Sequence, residues 1–248
     1  MCLIVFAWRP DHATPLVVAA NRDEFYARPT LPLAQWPESP QVYAGRDLEA
    51  GGTWLGIGAD GRFAALTNIR NPHQPPARKS RGELVARFLT GDLSIADYLS
   101  DVVSRSIEYA GFNLLIGNRR ELWHYNAEQS EARELQPGIY GLSNAGLDTP
   151  WPKLLKARAA LTEVLDDPQP QALLALLGDP QTAPFADLPD TGVGLATESL
   201  LSSVFIASQS YGTRASTALI VREDGSRWMV ERSFGPFGGH LGEVEIRV

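Results

Sequence analysis

Cysteine is nearly absent from this chain: Cys2 stands alone among 248 residues. An intrachain disulfide and a thiolate metal cluster are therefore both excluded. The four histidines, His12, His73, His124 and His240, are scattered and show no metal-ligand spacing. No apolar run approaches the ~20 residues of a membrane-spanning helix. The opening stretch Leu3-Ile4-Val5-Phe6-Ala7-Trp8 is too short for a signal peptide and lacks a basic flank. Positive charge is also in deficit. Lys and Arg number 22 against 29 Asp and Glu, a net charge of -7, which argues against nucleic acid or an anionic membrane as partner. The expectation is a soluble, cytoplasmic protein without cofactor or metal. Oligomeric state leaves no signature.

The chain does hold enough apolar sequence for one large core. Hydrophobic residues make up 44% and charged residues 21%, the balance of an ordinary globular protein, and no segment reads as a linker. A single domain over 1–248 is expected. The first third reads as strands. Residues 2–8 and 16–20 are apolar runs around turn chemistry at 9–15, a hairpin, and further strands fall at 53–57 and 63–67 about Asp60-Gly61. The Pro-rich stretch 29–40 reads as loop. Ser80-Arg81-Gly82-Glu83 has the capping-box pattern ahead of Leu84, Val85, Phe88 and Leu89, and Ser94 precedes a second helical face of Ile95, Tyr98, Leu99, Val102 and Val103. Strands return at 112–116, 121–125 and 139–142. A third helix starts near Pro150 with Trp151, Leu154, Leu155, Leu161 and Leu165 on one face, and a fourth covers 171–177. Residues 178–194 read as a long surface loop, and a hairpin spans 216–222 and 227–233 about Asp224-Gly225. Strands, helices, strands, helices, strands, with hairpins dominant, predict an α+β protein whose sheets are mainly antiparallel and covered by helices.

Position 2 makes the lone cysteine informative. Removal of Met1, usual when a small residue follows, would leave a thiol and an α-amino group on one residue. Reference pKa values of about 7.7–8.0 for the amine and about 8.5 for the thiol let the amine act as base near neutral pH. The bland alternative is a small, buried apolar residue.

Further motifs run in order along the chain: Met1-Cys2-Leu3-Ile4, Asn21-Arg22-Asp23-Glu24, Gly51-Gly52-Thr53-Trp54-Leu55-Gly56, Leu66-Thr67-Asn68, Ser80-Arg81-Gly82, Gly111-Phe112-Asn113-Leu114-Leu115, Gly141-Leu142-Ser143-Asn144, Thr149-Pro150-Trp151-Pro152-Lys153 and Tyr211-Gly212-Thr213-Arg214. As an ordered set they resemble the NRDE family, whose eukaryotic members include the transport and Golgi organisation proteins. That family is itself similar to the cysteine-type N-terminal-nucleophile amidases, among them penicillin V acylases, bile salt hydrolases and acid ceramidase-like enzymes. The resemblance implies a four-layer αββα sandwich of two antiparallel sheets. It also implies catalytic roles for Cys2, Arg22, Asp23, Asn68, Asn144 and Arg214, with Asn21, Glu24 and Trp54 at the substrate. One departure stands out. The acylases separate the Arg and Asp of the second strand by two residues, whereas Arg22 and Asp23 are adjacent. Neighbours in a regular strand face opposite sides, so both could reach Cys2 only at a bulge or a strand end.

The chemistry of each residue fits such a site. Asp23 or Glu24 could orient the α-amino group, and Arg22 could lower the thiol pKa. An Asn amide can donate to an oxyanion, which the resemblance favours for Asn144 over Asn68. Arg214 could support the nucleophile or hold a substrate carboxylate. Plainer roles exist for all of them: a charged turn, turn asparagines after strands, a surface arginine and core tryptophans at Trp54 and Trp151. Two functions follow from the resemblance. One is an amidohydrolase of a small N-acyl or other non-peptide amide. The other is a non-catalytic binding or trafficking protein for haem or acyl-lipid metabolites.

Overall fold

The computed structural model describes residues 2–74 and 77–248. Met1, whose removal is expected to expose Cys2 as the N-terminal residue, lies outside the described residues. Two compact units are distinguished, one of Met1–Ala27, Arg70–Pro72 and Pro137–Val248, the other of Arg28–Ile69 and His73–Gln136.

The chain opens with the expected hairpin. Strands β1 (Cys2–Trp8) and β2 (Leu16–Phe25) pair antiparallel, from Cys2 opposite Arg22 to Trp8 opposite Leu16. Every residue of β1 is buried, which accounts for its unbroken apolar run where a half-exposed strand would alternate. Strand β2 continues past the expected 16–20, so Asn21-Arg22-Asp23-Glu24 lies inside a strand.

The second unit follows. Strands β3 (Thr30–Trp36), β4 (Ser39–Asp47), β5 (Leu55–Ile57) and β6 (Phe63–Asn68) precede helices α1 (Gly82–Thr90) and α2 (Ile95–Arg105). Strands β7 (Phe112–Gly117), β8 (Leu122–Asn126) and β9 (Glu131–Glu134) complete an antiparallel meander in chain order. Leu84, Val85, Phe88 and Leu89 of α1 and Ile95, Tyr98, Leu99 and Val102 of α2 pack with Ala64, Leu66, Leu114, Ile116 and Tyr125 of the sheet.

Three expectations are corrected here. Residues 29–40 hold all of β3 and the start of β4. Strand β3 is the sheet edge, where a proline removes no needed donor, and the ladder slips on both sides of the Ala34 and Gln35 pairs. The capping box does not form. Arg81 occupies the cap without a side-chain capping bond, its guanidinium donating to the Gly111 carbonyl, and Glu83 instead accepts from the Tyr109 hydroxyl and from Arg105. Val103 lies on the exposed side of α2. Ser94 does cap α2, accepting from the Asp97 N–H at 3.1 Å.

Two motifs of this unit turn out to be one contact. The Thr53 N–H donates to the Gly82 carbonyl at 3.2 Å, and a Cβ on Gly52 would fall 2.4 Å from the Gly82 carbonyl carbon. Gly51-Gly52-Thr53 and Ser80-Arg81-Gly82 thus let two backbones close on each other.

Back in the first unit, β10 (Gly138–Leu142), helices α3 (Pro152–Glu163), α4 (Pro170–Ala175) and α5 (Leu195–Leu201), and strands β11 (Tyr211–Val221), β12 (Arg227–Phe234) and β13 (His240–Arg247) complete an antiparallel sheet ordered β10-β1-β2-β11-β12-β13. Leu154, Ala157, Leu161, Leu173 and Leu174 pack with Leu3, Val5, Ala7, Val17 and Ala19. Leu155, expected on the same face, is exposed. Strand β13 and helix α5 were not foreseen, because both are short on buried apolar residues. Two antiparallel sheets, each with helices on a face, make this an α+β protein.

Candidate functional site

The site is built where β1 begins. Cys2 is 6% exposed and faces Arg22 across the ladder, and Asp23 lies one residue beyond that first pair. On the other side of β2, Asp23 pairs with Thr213 and Arg22 with Ala215, which makes Arg214 the extra residue of a β-bulge. Strand end and bulge coincide, and Arg22 and Asp23 both act on the thiol. The Asp23 N–H donates to it, and the charges of Asp23 and Arg22 pull its pKa in opposite directions. Burial dominates and holds the thiol above its ordinary value, with Asp23 adding to the rise and Arg22 opposing it.

Asp23 is itself buried. Its Oδ1 accepts from the Thr213 hydroxyl at 2.8 Å, and its backbone carbonyl accepts from the Tyr211 hydroxyl at 3.1 Å. Burial raises its carboxyl pKa, while Lys153, the Thr213 hydrogen bond and Arg70 draw it down. Tyr211 is raised by burial and by the charges of Asp23 and Cys2.

Lys153 was not singled out from the sequence, although it closes the Trp151-Pro152-Lys153 motif. It is the second residue of α3 and is 2% exposed, and its Nζ makes no hydrogen bond among the described residues. Burial pulls its pKa down to about 8, against the opposing charges of Asp23, Cys2 and Glu198. A detectable signal was present: a cation in the first turn of a helix opposes the macrodipole and needs another reason to be there.

A second charged pair completes the cluster. Arg70 Nη1 donates to Glu198 at 2.5 Å, with both side chains almost fully buried, and its guanidinium lies 4.6 Å from the Trp151 ring centroid. The other Glu198 oxygen accepts from the Thr191 N–H at 2.8 Å and its hydroxyl at 2.5 Å. These partners lie far apart in sequence, so no local pattern pointed to them.

The remaining expected residues fall in several places. The Ser143 hydroxyl donates to the Cys2 carbonyl at 3.2 Å and to Asn144 Oδ1 at 3.3 Å, while the Asn144 carbonyl accepts from the Arg70 N–H at 2.7 Å. Asn144 is therefore adjacent to Cys2. Arg214 Nη1 donates to the carbonyls of Phe25 and Tyr26 and fastens the end of β2. Glu24 is half-buried, with Oε1 accepting from the Phe25 N–H. Asn21 is fully buried beside Leu3, on the face that packs on the helices. Its amide donates to the Leu177 and Val204 carbonyls, and its oxygen accepts from Ser216. The structure does not turn it toward Cys2. Asn68 and Trp54 belong to the second unit. There Asn68 closes β6 opposite Phe112, and the Trp54 carbonyl accepts from the Leu66 N–H.

Among the described residues no His, Cys, Asp and Glu are grouped to hold a metal, and no helix is long and apolar enough to cross a membrane.

Comparison with solved structures defines the class first. The fold matches that of the Caenorhabditis elegans N-acylethanolamine-hydrolyzing acid amidase ortholog with a TM-score of 0.50 over 88% of this chain and 92% of that one, at 11% identity. It is an N-terminal-nucleophile hydrolase fold. Sequence then gives the family. The chain belongs to the Transport and Golgi organisation 2 family, whose profile matches residues 1–236. The human Transport and Golgi organization protein 2 homolog is 36% identical and the mouse homolog 35%, each match covering 94% of this chain and 93% of the relative. The Drosophila melanogaster protein is 27% identical over 97% of this chain and 94% of its own.

Proposed function

We propose that this protein is an N-terminal-cysteine amidohydrolase acting on a small N-acyl or other non-peptide amide. The observation that carries the reading is the company Cys2 keeps. A merely structural cysteine in a strand core needs no charged neighbours, yet Asp23 and Lys153 are buried close enough to exchange charge effects with this one. Buried charges are costly, and their concentration around a nucleophile marks a functional site. The activity of the fold neighbour, hydrolysis of N-acylethanolamines, supports the amide class.

In this reading Met1 is removed, and the α-amine of Cys2 takes the thiol proton. The thiolate attacks the amide carbonyl carbon, and the oxyanion is held by the Asn144 amide and a backbone N–H. The tetrahedral intermediate collapses with the proton passing to the leaving amine, and water then cleaves the thioester. Arg22 opposes the rise in thiol pKa. Asp23 or Glu24 orients the N-terminus, and Arg214 holds the end of β2 in place. The test is release of amine from fluorogenic N-acyl aminocoumarins of graded chain length. Turnover by the wild type, lost in Cys2→Ala and in protein with Met1 retained, is expected. Turnover equal in Cys2→Ala refutes it.

One observation favours a binding protein on the same fold. Burial keeps the Cys2 thiol protonated beyond its ordinary range, as suits a packed side chain. Ligand binding unaffected by Cys2→Ala, with no turnover, selects that alternative.

A further inference from the structure

Lys153 has the two properties that a structural lysine avoids. Its ammonium is withdrawn from water and satisfies none of its three donors within the described residues. An uncompensated buried cation ordinarily costs several kcal/mol, so it persists where something else requires it. Its position opposes the helix macrodipole as well, since Pro152 and Lys153 form the first turn of α3.

The groups that share its surroundings come from separate elements: Cys2 from β1, Asp23 from β2, Glu198 from α5, and Arg70 from the segment 70–72. Arg22 and Tyr211 act on the same centre through Cys2 and Asp23. Arg70 is engaged by Glu198, and Glu198 by Arg70 and Thr191. Asp23 is hydrogen-bonded to Thr213, and its charge works against a thiolate. Lys153 is the cation in this group whose ammonium makes no hydrogen bond among the described residues.

We propose that Lys153 is a positioning residue for Cys2, the buried cation whose charge offsets that of Asp23 and leaves Cys2 a larger thiolate fraction than burial alone would allow. It acts through Cys2 and needs no direct contact in the resting protein, because charges interact strongly across a dry interior. The inference rests on the reading of Cys2 as a nucleophile, yet it concerns the thiol's acidity and not the substrate or the base.

The test is the rate of Cys2 alkylation by iodoacetamide, followed by intact mass across roughly pH 6–10, a range that brackets the reference thiol value of about 8.5. With one cysteine in the chain, the adduct is unambiguous. Lys153→Met and Lys153→Gln should move the midpoint upward by about one unit, a tenfold slower reaction at any pH below it, and Lys153→Arg should restore most of the shift. Two uncharged variants guard against one that misfolds. Midpoints unchanged in Lys153→Met and Lys153→Gln overturn the inference, as does Lys153→Arg shifted as far as they are, or a folded wild type that never alkylates. A midpoint that moves with Lys153 in a protein that turns over no amide upholds the inference and rejects the amidase instead.

Discussion

Replacing Asn21 by alanine removes a side chain that joins three distant parts of the first unit. Its amide nitrogen donates to the carbonyls of Leu177 at 3.0 Å and Val204 at 2.8 Å, and its oxygen accepts from the Ser216 hydroxyl at 2.6 Å. None of these partners can turn to solvent, because Asn21 is 0% exposed and Ser216 is buried with it. Each buried polar group left unsatisfied costs about 1–3 kcal/mol, so two stranded carbonyls and a hydroxyl should total about 4 kcal/mol. That is a large share of the 5–15 kcal/mol typical of a folded protein. At ~2–4 °C per kcal/mol for a chain of this size, the midpoint of thermal unfolding should fall by roughly 8–16 °C. Urea unfolding with an unchanged slope is the companion measurement, since it separates lost stability from an altered denatured state. Ser216→Ala, which strands a single acceptor, should cost only about 1 kcal/mol. Asn21→Ala within about 1 kcal/mol of wild type would refute the assignment of this residue as an internal brace.

Other outcomes follow from the same contacts. Arg70→Met leaves the Glu198 carboxylate buried without its guanidinium partner, and should destabilise by about 3–5 kcal/mol, with much of the loss recovered when Glu198→Leu is added. His124 is buried, and its ring Nε2 lies 3.1 Å from an Asn113 oxygen that also accepts from Asn126. The ring therefore donates there as the neutral form. Burial lowers its pKa from 6.5 to about 4. The unfolded chain thus binds the proton first, so this stability is whole above about pH 6.5, falls as pH drops toward 4 by about 3 kcal/mol, and is flat below. His124→Gln should remove that slope from a titration of unfolding free energy, and a slope unchanged by the substitution contradicts it. Gly52→Ala should cost about 1–3 kcal/mol, because the new methyl meets the Gly82 backbone and not a yielding side chain. Denaturation at parity with wild type would show that the two backbones can part freely.

Much of the fold was legible because it is local. The β1–β2 hairpin, the apolar faces of α1 and α2 and the Ser94 cap follow from spacing within a few residues. The misreadings share a cause in tertiary context. Prolines mark 29–40 as loop until an edge strand is available to tolerate them, and His240–Arg247 lacks a strand's apolar run because its residues are exposed or half-exposed. Ser80 and Glu83 have the capping spacing, but Tyr109 and Arg105 claim the glutamate. The site divides in the same way. Cys2, Arg22, Asp23 and Asn144 stood in readable motifs, but the sequence could not show that Asp23 meets the thiol through its backbone N–H while Arg22 pairs with Cys2 across the ladder. Arg70 and Glu198 pair across 128 positions, beyond any periodicity. Lys153 was in view but read as the start of a helix, since the sequence does not reveal that its ammonium is buried and makes no hydrogen bond among the described residues.

Intact-protein mass spectrometry after brief exposure to an activated acyl ester at neutral pH tests the central claim most directly. A chain lacking Met1 and carrying one acyl group, mapped to Cys2 and absent from Cys2→Ala, is the expected result. A chain from its own cells that keeps Met1 and takes up no acyl group would contradict the N-terminal nucleophile outright.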